Sequence, residues 1–254
     1  GHLNDALTQS KKVLKINETD VGAIMTLAVV YYKMKKYELA EYALKMAKEI
    51  EPNNADIYNR LAFVQKARGQ KLMALASFRK AVELRGDFAE AHNNLGVLYN
   101  EAGDYKAAVA EFKAAIRYYP EYGEAYLNIG NAYRSAKNWV KAEEAYTKAQ
   151  RLGVEKALVI FNKALLHMEK KGDGVDRIEE LKAALDLFGD YRDLMGGDLK
   201  EDDPVEEYSE QARRILEQEK RNRERQRLRE QKEEASKKAK TAAEGAEDGA
   251  APGV

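Results

Sequence analysis

The stretch from Ala89 to Pro120, AEAHNNLGVLYNEAGDYKAAVAEFKAAIRYYP, decides the fold. Two apolar patterns with a period of about 3.6 residues run through it, broken once at Gly103-Asp104. Leu95, Leu98 and Tyr99 carry the first; Ala108, Val109, Phe112, Ala115 and Ile116 carry the second. That spells two amphipathic helices joined by a tight turn and stopped by proline. Shifted by 34 residues, the stretch meets itself again. Gly96 falls on Ala62 and Gly130, Ala108 on Ala74 and Ala142, Phe112 on Phe78 and Tyr146, and Ala115 on Ala81 and Ala149. A second step back reaches Ala28, Tyr31, Ala40, Leu44 and Ala47.

A helix–turn–helix of this length, with Leu-Gly/Ala, Tyr, Ala, Phe, Ala and Pro in that order, resembles the tetratricopeptide repeat. The resemblance covers about residues 3–188 and implies an all-α superhelical solenoid. The small residues permit close helix approach, and the aromatics fill the space between repeats. One hairpin cannot bury its apolar face alone, so the units must stack.

Outward from that stretch, residues 1–20 read as the second helix of a truncated repeat, and 21–156 as four full repeats. Lys35 and Lys137 stand at inner turns where Gly69 and Gly103 stand elsewhere. A left-handed lysine there costs about 1 kcal/mol. Residues 157–188 form a degenerate fifth repeat with a lengthened turn, Lys171 to Gly174, and Arg177 near the small-residue slot. A Gly/Asp-rich connector and a capping helix occupy 189–216, with Val205, Tyr208, Ala212, Ile215 and Leu216 as its apolar stripe. Residues 217–240 read as a solvated charged helix with ten Lys/Arg and six Glu. The Ala/Gly-rich stretch 241–254 is expected to be disordered.

Composition excludes several classes. The 43 basic and 43 acidic residues cancel, which disfavours a generally basic nucleic-acid binder. Cysteine is absent, so disulfides and zinc fingers are excluded. No apolar run approaches the ~20 residues of a membrane helix. The chain opens on Gly1-His2-Leu3 without methionine, so a natural start further upstream is expected, and any targeting segment or anchor would lie outside this sequence. Cytoplasm and bacterial periplasm or outer membrane both remain open as compartments.

Nothing in the sequence supports catalysis or a cofactor. His2, His92 and His167 are scattered and lack companion ligands; His92 and His167 read as inter-helix packing residues. The segment Lys171–Asp176 lacks the acidic spacing of a calcium loop.

The resemblance places the working surface on the first helix of each repeat. It implies a groove lined by Asn59, Arg60, Phe63 and Lys66, then Asn93, Asn94, Val97 and Asn100, then Leu127, Asn128, Asn131 and Arg134. Asn94, Asn128 and Asn162 recur in one column, and an amide can both donate to and accept from a peptide backbone. The same asparagines equally suit local helix packing. The basic set does not reproduce the spacing of the carboxylate-clamp subclass, and the first repeat instead offers Met25 and Val29 in the groove. The expected function is a protein–protein scaffold or adaptor taking a peptide or domain in this groove, in a bacterial cell-envelope assembly of the pilus or gliding-motility type. The alternative is a tether to nucleic acid or an anionic membrane through 217–240, a region without aromatics for base stacking.

Overall fold

The computed structural model describes residues 2–247, and among these it contains α-helices and one short 3-10 turn but no strand. The described residues fall into two compact units, divided between Glu155 and Lys156.

The first unit holds α1 (His2–Ile16), α2 (Val21–Lys33), α3 (Tyr37–Ile50), α4 (Ala55–Ala67), α5 (Lys71–Leu84), α6 (Ala89–Glu101), α7 (Tyr105–Tyr118), α8 (Gly123–Ser135) and α9 (Trp139–Arg151). Four hairpins follow the lone α1, and each starts where the 34-residue register places it. Side-chain caps set several starts. Asp20 accepts from the Ala23 amide at 2.7 Å, Asp104 from Ala107 at 3.0 Å and Asn138 from Lys141 at 3.3 Å. These bonds satisfy amides that the first turn leaves without partners. Inner turns reverse the chain through one left-handed residue: Gly69 at φ 75° and Gly103 at φ 80°, but Lys35 and Lys137 at φ 58°. The two lysines thus adopt the left-handed conformation that glycine takes in the other turns.

Packing follows the small-to-large pairing. Phe78, Phe112 and Tyr146 are at most 1 % exposed. A Cβ added to Gly96 would sit 2.7 Å from the Phe112 ring, and one added to Gly130 would sit 2.5 Å from Tyr146. The rings therefore lie directly against the backbone of the preceding helix.

Charge is buried at one link between the first two repeats. Glu41 on α3, its side chain 4 % exposed, pairs with Lys45 at 2.8 Å and with Arg68 from the end of α4. Burial pushes its carboxyl up, but hydrogen bonds from Lys45 and Arg68 outweigh that and hold it below the usual range. A carboxyl depressed in the folded state adds stability above its unfolded value of about 4.3, and loses it as pH falls through the folded value. Between pH 5 and 3 the melting temperature of the wild-type protein should therefore fall more steeply than that of Glu41→Gln. Parallel curves would remove this pair from the acid sensitivity.

The second unit holds α10 (Lys156–Glu169), α11 (Arg177–Met195), a 3-10 turn (Gly196–Asp198) and α12 (Val205–Glu247). Arg177 has a definite task. Its guanidinium donates to the carbonyls of His167 at 3.2 Å and Lys170 at 2.9 Å, and to that of Met168, closing the end of α10. A cation at a helix C-terminus also meets the negative end of the dipole. Val205 and Ala212 are fully buried against Ala164, Leu181 and Phe188, with Tyr208 and Ile215 beside them. The start of α12 thus packs across the α10–α11 pair. Beyond Leu216 no residue as far as Ala239 is buried. The helix runs on to Glu247, past residue 241 where disorder was expected to begin; residues 248–254 lie outside the described residues.

Candidate functional site

In the first unit, α2, α4, α6 and α8 are the first helices of the four hairpins. The Asn94 amide donates to Asn59 at 3.4 Å, and Asn128 donates to Asn93 at 3.0 Å, tying α6 to α4 and α8 to α6. Helices α6 and α8 also pack directly, which no pair of second helices does to the same extent. First helices therefore line the inner side of this stack.

The sequence-predicted groove residues separate into three groups. Asn59, Asn93 and Leu127 are buried at 4 %, 4 % and 6 % exposure and offer a ligand little surface. Asn93 is also bonded by Tyr122, whose phenol burial pushes up to about 12. Asn94 and Asn128 are half-buried with donors already engaged between repeats, and Asn131 accepts from the Tyr146 hydroxyl at 2.8 Å. Asn162 lies in the second unit, where it donates to the Leu158 carbonyl of its own helix at 2.8 Å. The asparagine column is thus a set of internal bonds before it is anything else.

The remaining residues differ in how far their side chains are already engaged. Lys66 is neutralised by Glu101 at 2.7 Å. Arg134 is half-buried and engaged; Val97 packs against the core around Phe112 and Ile129. Asn100 keeps a buried side-chain oxygen without a partner among the described residues. Phe63 stacks edge-on against Phe78 at 5.5 Å between centroids. Arg60 is exposed and, among the described residues, makes neither a hydrogen bond nor an ion pair.

Arg60 and Phe63 border a pocket of about 280 Å³, completed by Val64 and by Ala28, Val29, Tyr32 and Leu44. Four of these, Ala28, Tyr32, Leu44 and Val64, were not among the predicted site residues. Their signal was nevertheless present. The slot filled by Phe78, Phe112 and Tyr146 in later repeats holds Leu44 in the first. Leucine fills less of the inter-repeat space, and α2 and α4 keep a gap beside it.

Both His92 and His167 are packing residues. His92 bonds Glu111 at 2.7 Å and the Gly86 carbonyl at 2.9 Å, and stacks on Tyr118. Burial lowers its pKa, but those two bonds outweigh it and raise the ring above its ordinary value. His167 meets Glu180 at 2.6 Å in the second unit. No group of three ligand-type side chains stands at metal distance among the described residues. No helix among them is long and apolar enough to cross a membrane.

The sequence profile of the tetratricopeptide repeat family matches residues 65–116 and 101–153. No curated protein sequence matches the chain. Among solved structures, YrrB, a TPR protein with an unusual peptide-binding site, is 26 % identical with a TM-score of 0.52, the match covering 63 % of this chain and 82 % of that one. MamA is 25 % identical with a TM-score of 0.54, covering 61 % and 91 %. PilW, a type IV pilus biogenesis factor, is 18 % identical with a TM-score of 0.67, covering 78 % and 88 %, a likeness of fold alone. With its helical hairpins in register and its small and aromatic residues in their slots, the chain carries tetratricopeptide repeats, which the family's profile matches over residues 65–153.

Proposed function

We propose that this protein is an adaptor that binds an extended segment of a partner protein along the inner side of residues 21–155. The observation that carries the reading is the apolar pocket between α2 and α4, a concave opening on the surface this family presents to partners. The tetratricopeptide repeats support a scaffold for protein–protein interaction, and YrrB, a relative of similar fold, has a peptide-binding site. Arg60, Phe63, Lys66, Val97 and Asn100 are the predicted groove residues we retain as contacts. A bacterial cell-envelope assembly is the setting in which we would look for the partner.

Leu44→Phe restores the aromatic of the later repeats and fills the pocket. Full-length protein carrying it should keep its melting temperature within a few degrees and lose at least tenfold in affinity for a partner captured by the wild-type chain. Unchanged capture would place the interaction elsewhere. If Leu44→Phe lowers the melt, Val29→Gln at the pocket wall makes the same comparison.

A second reading rests on α12. Glu217, Glu224 and Glu234 are bonded to Lys220, Arg227 and Lys238 at 2.7–3.0 Å. Arg221, Arg225, Arg229 and Lys232, spaced three or four residues apart, make no ion pair among the described residues and share one exposed face. Such a face attracts phosphate-bearing partners, and binding through it would weaken steeply with salt. Binding in the apolar groove would not.

A further inference from the structure

We infer that the pocket between α2 and α4 takes an apolar side chain whose neighbouring carboxylate is held by Arg60. The ligand is then a peptide segment with a leucine- or isoleucine-type anchor beside an acidic residue or a free C-terminus. This rests on the groove reading above and adds the chemistry of what enters it.

Three observations carry it. The pocket walls are hydrocarbon and aromatic, from Ala28, Val29, Leu44, Phe63 and Val64, so its floor offers a charged group nothing to bond. At about 280 Å³ it lies just under the range of small-molecule sites, which suits a side chain or two better than a cofactor. The polar groups among its lining residues are both donors: the Arg60 guanidinium and the Tyr32 hydroxyl, neither with a partner among the described residues. No carboxylate lines the opening.

Charge assignment along the inner surface sharpens the point. The predicted basic residues there are Arg60, Lys66 and Arg134. Lys66 already serves Glu101 and Arg134 is engaged, while Arg68 serves Glu38 and Glu41. Arg60 alone of these is left to meet an incoming anion, and it stands at the pocket. A guanidinium presents a planar fork that matches a carboxylate with two parallel bonds, which a lysine cannot do. Apolar anchor and anion therefore sit within one residue's reach of each other.

Two small probes of the same shape separate the parts of the claim: 4-methylpentanoate, a leucine side chain ending in a carboxylate, and 4-methylpentanamide. They are titrated against full-length, methyl-labelled protein at low salt, following the Val29, Leu44 and Val64 methyl resonances. Both probes should shift these methyls, with the acid binding at least threefold tighter. Arg60→Gln should bring the acid down to the affinity of the amide, while Arg60→Lys should keep part of the preference. Acid and amide binding equally in the wild type would overturn the role of Arg60 and leave the groove reading standing. Failure of either probe to move the three methyls would overturn the anchor. The groove reading falls separately, if Leu44→Phe captures the same partners as wild type.

Discussion

Phe112→Ala should cost about 3–5 kcal/mol, the largest loss expected from any single truncation in residues 1–155. Phe112 is 1 % exposed and packs with Ala108 of its own helix, Ile129 and Ala132 of the next repeat, and Ala145 of α9. Its ring also lies against the backbone at Gly96, where no side chain could move in to fill the void. Truncation therefore loosens α6 from α7 and the third repeat from the fourth together. In a stack whose units hold only their neighbours, that break is local before it is global. Guanidinium unfolding should show the loss, with amide exchange rising first within residues 89–151. Leu72→Ala is the matching control: Leu72 is 83 % exposed, and its removal should change stability by less than about 0.5 kcal/mol. A loss below about 1 kcal/mol at Phe112 would mean that the aromatic slots do not hold the repeats together.

The fold was legible because each repeat states the same packing solution again. A small residue at Ala28, Ala62, Gly96 or Gly130 implies a large one sixteen positions on, and that pairing fixes the face of both helices at once. Arg177 was visible as a departure from the small-residue slot, but not as the cap of α10, because three carbonyls converge on it only after the turn at Lys171 has folded. The end of the charged helix was misplaced for a simpler reason. Alanine, glutamate and lysine continue past residue 240, and their helix propensity carries α12 to Glu247 despite Gly245.

The site was less legible. The asparagine column was evident as a pattern, yet sequence alone does not say whether an amide faces a ligand or another amide. The answer lies in the offset: Asn59 to Asn94 and Asn93 to Asn128 are each 35 residues, one more than the repeat, which brings neighbouring first helices into register for a hydrogen bond. The pocket was hidden differently. Val29, Phe63 and Arg60 were each named, but a void has no letter in the sequence. Its trace was a leucine at 44 where the other repeats hold a ring.

Gly130→Leu should destabilise the fourth repeat by about 3 kcal/mol, the upper end of the usual overpacking range. A Cβ at this position would lie 2.5 and 2.6 Å from two ring carbons of Tyr146, closer than carbon atoms tolerate. Relief must come from the ring or from the helices. Tyr146 is fully buried and its hydroxyl is bonded to Asn131 at 2.8 Å, so the ring cannot swing away without breaking that bond inside the core. Separation of α8 from α9 is the remaining route, and it opens contacts along both helices. The second repeat holds Ala62 in the same slot with Phe78, an aromatic with no hydroxyl to pin it, so a single methyl can be accommodated there. Gly130→Ala should accordingly cost only about 1 kcal/mol, partly offset by the better helix propensity of alanine. Pairing Gly130→Ala with Tyr146→Phe should recover part of that loss, because the ring is freed from its bond to Asn131. Thermal unfolding of the single variants and the pair measures the coupling directly. Strictly additive losses would show that the hydroxyl bond does not hold the ring, and the cost at Gly130 would then lie in helix spacing alone.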